Sequence, residues 1–225
     1  MEGLGSITLS DAQVAEYSRQ AVQEMDAKNP IAGPTDPYMQ RLNRIVSSHR
    51  IIDGIPINYK VYLVKDVNAF ATADGSVRVM KGLMDTMTDQ ELLAVMGHEI
   101  GHVINHDSKD GMKAALRRSA VRNAAASRAG VVGKISRSQI GGFADYLFGA
   151  KFSRQQETDA DDYSYGFLRR NGYNVIALAT SFEKLAKLSG GSGGGRVTEI
   201  VSTHPDSARR AQRIRDRARQ DGLAR

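Results

Sequence analysis

Cysteine is absent from the 225 residues. That one absence excludes disulfides, thiolate metal sites and cysteine nucleophiles together, and it leaves the redox compartment open. No apolar run approaches the ~20 residues of a membrane-spanning helix. The opening MEGLGSITLSDAQ lacks the basic-then-apolar layout of a signal peptide, so an exported form would have lost its leader. Charge is only mildly unbalanced, at +6. Its densest part is RRAQRIRDRARQ, residues 209 to 220, where six arginines surround Asp216. With no interleaved aromatics and no recognisable binding motif, this segment reads as a solvated helix face, and no nucleic-acid partner is expected.

What is present suits a globular chain: 41% hydrophobic and 25% charged residues, in a length that can bury one full core. A single domain over residues 1–225 is expected. Ser10 and Gln13 form a capping-box pattern, and Val14, Tyr17, Ala21 and Met25 follow at helical spacing. After the break NPIAGP, Asp36-Pro37 starts a second helix with Tyr38, Leu42, Ile45 and His49 on its stripe. These N-terminal helices occupy residues 10–52. Tyr59 to Lys65 alternates as a strand, with Val61 and Leu63 on one side and Tyr62 and Val64 on the other. Asn68 to Ala71 and Val77 to Met80 flank the turn-forming ADG at 73 to 75. A small antiparallel sheet over residues 58–80 follows from this pattern.

From residue 88 to 225 helical signals dominate. Thr88 and Glu91 cap one helix; others are expected over 110–129, 153–170 and 175–188, with SGGSGGG at 189 to 195 as a flexible loop before the last. The class is therefore α+β, mainly helical, with no internal repeat.

The helix launched at Thr88 carries LLAVMGHEIGHVINH, residues 92 to 106. At about 100° per residue, Leu93, Met96, Ile100 and Val103 share one stripe, and His98 and His102 lie together roughly opposite it. Two imidazoles one turn apart can hold one ion, with nitrogens at about 2.0–2.1 Å in part of a tetrahedral shell. Glu99 sits on the flank, where a carboxylate can take a proton from a metal-activated water. Gly97 and Gly101 each cost about 1 kcal/mol against alanine in a helix, so something is expected to approach closely on their side. The competing reading makes these satisfied core histidines beside a salt-bridged Glu99. His106 lies about 12 Å along the axis from His98 and cannot share its ion; a helix-end role is expected instead.

A catalytic zinc site needs a third ligand. Without cysteine it must be His, Asp or Glu, and Glu157 in QETDAD is the foremost candidate, with Asp161 one turn later to accept a ligand histidine's free N–H. Spacing alone leaves Glu157 divided between this role and an exposed acidic segment.

HEIGH at 98 to 102, ETDAD at 157 to 161 and THP at 203 to 205 occur in that order. Together with DVNAFATADGSVRV and GLMDTMTDQELLAVMGHEIGHV, they resemble the gluzincin zinc peptidases of the HtpX and CAAX-prenyl-protease family, most of all its soluble bacterial periplasmic members. The similarity runs from about Leu9 to the last helix. It implies a zincin-type metallopeptidase with one Zn2+ held by His98, His102 and Glu157, and with Glu99 as general base. It implies that Asp161 orients a ligand or donates a proton, and that His204 faces the zinc, as a fourth ligand in a latent form or as an oxyanion stabiliser. Arg210 matches a recurring arginine of uncertain role. Asn68, Ala69, Phe70 and Ala71 resemble the edge strand along which such enzymes lay an extended peptide.

The expected partners are unfolded or misfolded proteins, cleaved in envelope quality control. Residues 130 to 153 are expected to form a mobile cover over the cleft. Membrane-embedded relatives carry spans and lipoprotein relatives a lipidated cysteine; this chain shows neither. The expectation is a trimmed periplasmic protein, with a missing N-terminal lipid anchor to the outer membrane as an open alternative. The rival functions are a zinc-stabilised chaperone-like module with little turnover, and a nucleic-acid or anionic-lipid binder using the C-terminal arginines.

Overall fold

The computed structural model describes residues 10–107, 109–111, 152–189, 200 and 203–223. In chain order these form helices α1 (Asp11–Lys28) and α2 (Pro37–Ile45), strands β1 (Ile51–Ile52), β2 (Ile55–Pro56), β3 (Asn58–Tyr62), β4 (Ala69–Ala71) and β5 (Ser76–Met80), then helices α3 (Lys81–Thr86), α4 (Asp89–Ile104), α5 (Arg154–Arg170), α6 (Ile176–Ser189) and α7 (Ser207–Gln220). Residues 112–129 of the expected 110–129 helix, residues 130–151 and residues 190–195 of the glycine-rich loop lie outside the described residues.

Local chemistry sets the helix starts. Ser10 with Gln13, Thr88 with Glu91 and Ser153 with Gln156 each form a reciprocal capping box, and Asp36 accepts the Tyr38 N–H ahead of Pro37. Each cap satisfies backbone donors that a helix start otherwise leaves bare. The second helix is shorter than its stripe implied. It ends at Ile45, and His49 lies beyond it, buried against Phe167 with Nε2 2.8 Å from the Tyr173 hydroxyl.

The main sheet is mixed, which corrects the antiparallel expectation. Its order is β3-β5-β4. β4 and β5 form the expected hairpin, but β3 pairs with β5 in parallel, Asn58 opposite Ser76 through Tyr62 opposite Met80. Residues 63–68 carry the chain across to the far edge, so that the returning β5 fills the middle. Alternation of side chains is the same for either direction, which is why the pattern did not reveal it.

The two sheet faces have different partners. Val61, Val77, Val79, Ala69 and Ala71 point into the main core, which includes most of α4. Tyr62, Phe70 and Met80 point to the other side and pack on Val14, Ala21, Val22 and Met25 of α1. Between these apolar contacts lies a charge. Arg78, fully buried on central strand β5, donates from Nε and Nη2 to the two oxygens of Asp26 on α1, at 2.8 and 3.0 Å. Lys60 and the Tyr62 hydroxyl donate to the same carboxylate. Burial works against the Asp26 carboxylate, but these donors, Arg78 foremost, pull its pKa down to about 2.

α4 is enclosed on all sides. Every residue from Glu91 to Val103 is buried, so the face opposite the Leu93 stripe is not open to solvent but covered by α5.

Replacing Asp26 with alanine would leave the Arg78 guanidinium buried without its counter-charge, a loss of about 3–5 kcal/mol. Urea unfolding of D26A should read that loss. In the wild type a depressed carboxylate contributes stability above its unfolded pKa near 4 and loses it as pH falls towards 2. The D26A protein should therefore show a shallower decline in stability over that window.

Candidate metal centre

The close contact between α4 and α5 builds the site. A Cβ on Gly97 would lie 3.0 Å from the Ser164 Oγ, and one on Gly101 would lie 3.0 Å from both the Cα and the carbonyl oxygen of Ala160. The two glycines thus let α5 approach until Ser164 donates to the Ala94 carbonyl at 2.7 Å. Glu157 and Asp161, spaced one turn apart like Ala160 and Ser164, are delivered beside His98 and His102 by the same approach.

Four side chains converge: His98, His102, Glu157 and His204, all buried, each offering one atom within 4.8 Å of the others. The Nε2 atoms of His98 and His102 are 3.1 Å apart. His204 Nδ1 lies 3.3 Å from His98 Nε2 and 2.8 Å from Glu157 Oε1. Glu157 oxygens lie 3.5 and 3.6 Å from the two Nε2 atoms. Donors bound tetrahedrally at about 2.0–2.1 Å stand about 3.3 Å apart, so these separations match the edges of one coordination shell.

The opposite ring nitrogens decide the tautomers. His98 Nδ1 faces Asp161 Oδ1 at 3.0 Å, and His102 Nδ1 faces Asp107 Oδ2 at 2.8 Å. The carboxylates can accept from the Nδ1 atoms, and the two Nε2 atoms then face one another as candidate ligand atoms; Arg210 Nη2 also lies 3.3 Å from both ring nitrogens of His98. Two such nitrogens at this distance need a cation between them, either a proton shared as an N–H···N bond or a metal ion. The donor set therefore fits a divalent metal.

Charges around the cluster are heavily coupled. Burial and the nearby Arg210 cation push His98 down to about 3. For His102 burial acts in the same sense, but the bonds to Asp107 and Glu157 outweigh it and push the ring up to about 9. Glu157 is held far below the usual carboxylate range; burial opposes this, and the surrounding imidazoles overcome it. Glu99 moves the other way: burial raises its pKa, and among the described residues its Oε1 has no hydrogen-bond partner. His204 Nε2 lies 3.5 Å from that oxygen.

Arg210, on α7, closes the rear of the site. It grips Asp161 with Nε and Nη2 at 2.9 and 2.6 Å, lies over the Phe182 ring at 4.0 Å, and makes an ion-pair contact from Nη1 to Glu157 Oε2 that is not aligned as a hydrogen bond. The C-terminal arginines are thus not simply a solvated face. Arg213 and Arg217 both pair with Asp162, and Arg215 with Glu183.

Of the other residues singled out, Asn68, Ala69, Phe70 and Ala71 are all buried; β4 is an edge strand that contacts α4, with Phe70 on the opposite face towards α1. His106 is exposed, in the left-handed region at φ 63°. Sequence reasoning missed Asp107, Gln156 and Phe152, whose ring stacks on His102 at 3.8 Å. Asp107 is only five residues past His102, but helical spacing turns it away, so nothing in the pattern marked it.

Similarity to known proteins points the same way. Peptidase family M48 matches residues 39–218. The chain is 52% identical over 223 residues to Metalloprotease LoiP of Escherichia coli K12, covering 99% of this chain and 87% of that protein. It is 44% identical over 211 residues to Metalloprotease YcaL of the same organism, covering 93% and 82%. A Protease HtpX homolog of Bordetella petrii is 30% identical over 191 residues, covering 70% and 64%.

The two glycines should respond differently to alanine. Each substitution gains about 1 kcal/mol of helix propensity. At Gly97 the neighbours are side chains that can shift, whereas at Gly101 the added methyl meets backbone of Ala160, and overpacking there costs about 1–3 kcal/mol. G97A should be near neutral in denaturant unfolding, and G101A should be destabilised and weaker in metal binding.

Proposed function

The chain belongs to peptidase family M48, and from that premise we propose that it is a single-domain zinc endopeptidase. Its substrates are unfolded or exposed protein segments, and its place is envelope quality control in the periplasm. His98, His102 and Glu157 hold the ion. The observation that carries this reading is the pair of facing Nε2 atoms with a buried carboxylate beside them, at separations close to the edges of one coordination shell.

Bound there, Zn2+ supplies Lewis acidity, polarising a carbonyl and bringing the pKa of water from 15.7 towards ~7. The protein's own groups do the rest. Glu99 is the general base: burial raises its proton affinity, and its Oε1, unpartnered among the described residues, can receive a water proton and pass it to the leaving nitrogen. Asp161, itself clamped by Arg210, keeps the His98 ring in one tautomer. His204 stands on the remaining side, where it either fills a fourth coordination place in a resting form or donates to the developing oxyanion. A peptide added as a further strand along Asn68, Ala69, Phe70 and Ala71 would be read through its main chain, consistent with broad selection of unfolded segments.

Among the described residues no helix is long and apolar enough to cross a membrane. Attachment to the outer membrane through an N-terminal lipid is part of this proposal. Family membership lends no support to a binding module without turnover.

Glu99→Gln should lower cleavage of an unfolded casein substrate by about 10²–10⁴-fold while the protein still takes up one zinc per chain. Retained cleavage in E99Q would remove Glu99 from the mechanism. A wild-type protein that takes up no zinc would remove the metal centre itself.

A further inference from the structure

Asp107 is a buried carboxylate outside the four-residue cluster, and both of its oxygens are used. Oδ2 accepts from His102 Nδ1 at 2.8 Å, and Oδ1 accepts from Gln156 Nε2 at 2.9 Å. The same Gln156 side chain accepts the Ser153 N–H through Oε1 at 2.9 Å, as part of the cap that starts α5. Glu157 is the next residue. A continuous chain of hydrogen bonds therefore runs from the start of α5 through Gln156 and Asp107 to His102.

The backbone is shaped for this contact. On an uninterrupted helix a residue five positions on points about 140° away from His102. α4 instead stops at Ile104, and His106 adopts the left-handed conformation, with its N–H bonded to the Val103 carbonyl at 3.1 Å. That reversal returns the Asp107 side chain to the ring it would otherwise have passed. A left-handed non-glycine residue is disfavoured locally and persists where its surroundings determine it.

We infer that Asp107 is a positioning residue for the metal centre: it sets the tautomer and orientation of His102, and through Gln156 it locks that ring to the helix carrying Glu157. The inference rests on the metal-centre reading above. Asp107 differs from Asp161 in its support. Asp161 shares its charge with Arg210, a cation, whereas among the described residues Asp107 is held on its other oxygen by the neutral amide of Gln156.

The test is zinc affinity of the full chain, measured by competition with a chelating dye, for wild type, Asp107→Ala and Asp107→Asn. Asp107→Ala should weaken zinc binding about 10–100-fold, and Asp107→Asn, whose amide oxygen can still accept from Nδ1, should fall between it and wild type. A purely structural role would lower the unfolding stability of the metal-free protein and leave affinity unmoved. Affinity of Asp107→Ala within about twofold of a zinc-binding wild type overturns the Asp107 assignment alone; a wild type that binds no zinc overturns the metal centre. Should Asp107→Ala not fold, imidazole 15N–1H correlation spectra of zinc-loaded wild type carry the test. A hydrogen on His102 Nδ1 with Nε2 metallated is expected, and a metallated Nδ1 overturns the inference.

Discussion

Two imidazole Nε2 atoms held 3.1 Å apart in a buried site constitute the constraint on which this molecule turns. Only a proton or a metal ion between them makes that approach favourable. The protein enforces it, using one carboxylate behind each ring to keep hydrogen on the outer nitrogens. The arrangement gathers nitrogen and carboxylate donors around the place of one cation. Its shifted ionisation is in keeping with the concentration of perturbed pKa values at functional sites.

The rest of the fold holds that constraint in place. Gly101 lets α4 meet the α5 backbone at Ala160 and Gly97 makes room for Ser164 and Phe167, and this contact registers Glu157 and Asp161 against the histidines. Capping boxes at Thr88 and Ser153 define where those helices begin, so the side chains arrive at defined heights. Arg210 compensates two carboxylates that would otherwise be buried together. On the far side of the sheet, the Asp26–Arg78 pair anchors α1 and leaves the opposite face free to pack on α4.

Much of this was legible in the residues. Ser10, Asp36, Thr88 and their partners mark helix starts because capping is a local interaction between groups three or fewer positions apart. The split of Val61 from Tyr62 across the sheet follows from strand alternation. His98 and His102 share a direction because helical geometry requires it, and the glycines between them announced a close neighbour without saying which. The direction of β3 was not legible, since parallel and antiparallel partners impose the same alternation. Which element covers the second face of α4 was not legible, because α5 is distant in sequence. The C-terminal arginines looked solvated because their acidic partners, Asp161, Asp162 and Glu183, lie far away along the chain.

The sequence by itself determined the local chemistry: the caps, the two-imidazole turn, the flanking Glu99 and the acids one turn apart on another helix. These depend on spacings of three to five residues, which backbone geometry alone converts into direction. Only the tertiary structure decided that Glu157 and His204 meet the histidine pair, that β3 runs with β5, and that Asp107 turns back to His102. Those outcomes depend on how helices approach and how the chain reverses at His106, and such long-range closure is set by burial and steric fit across the whole core.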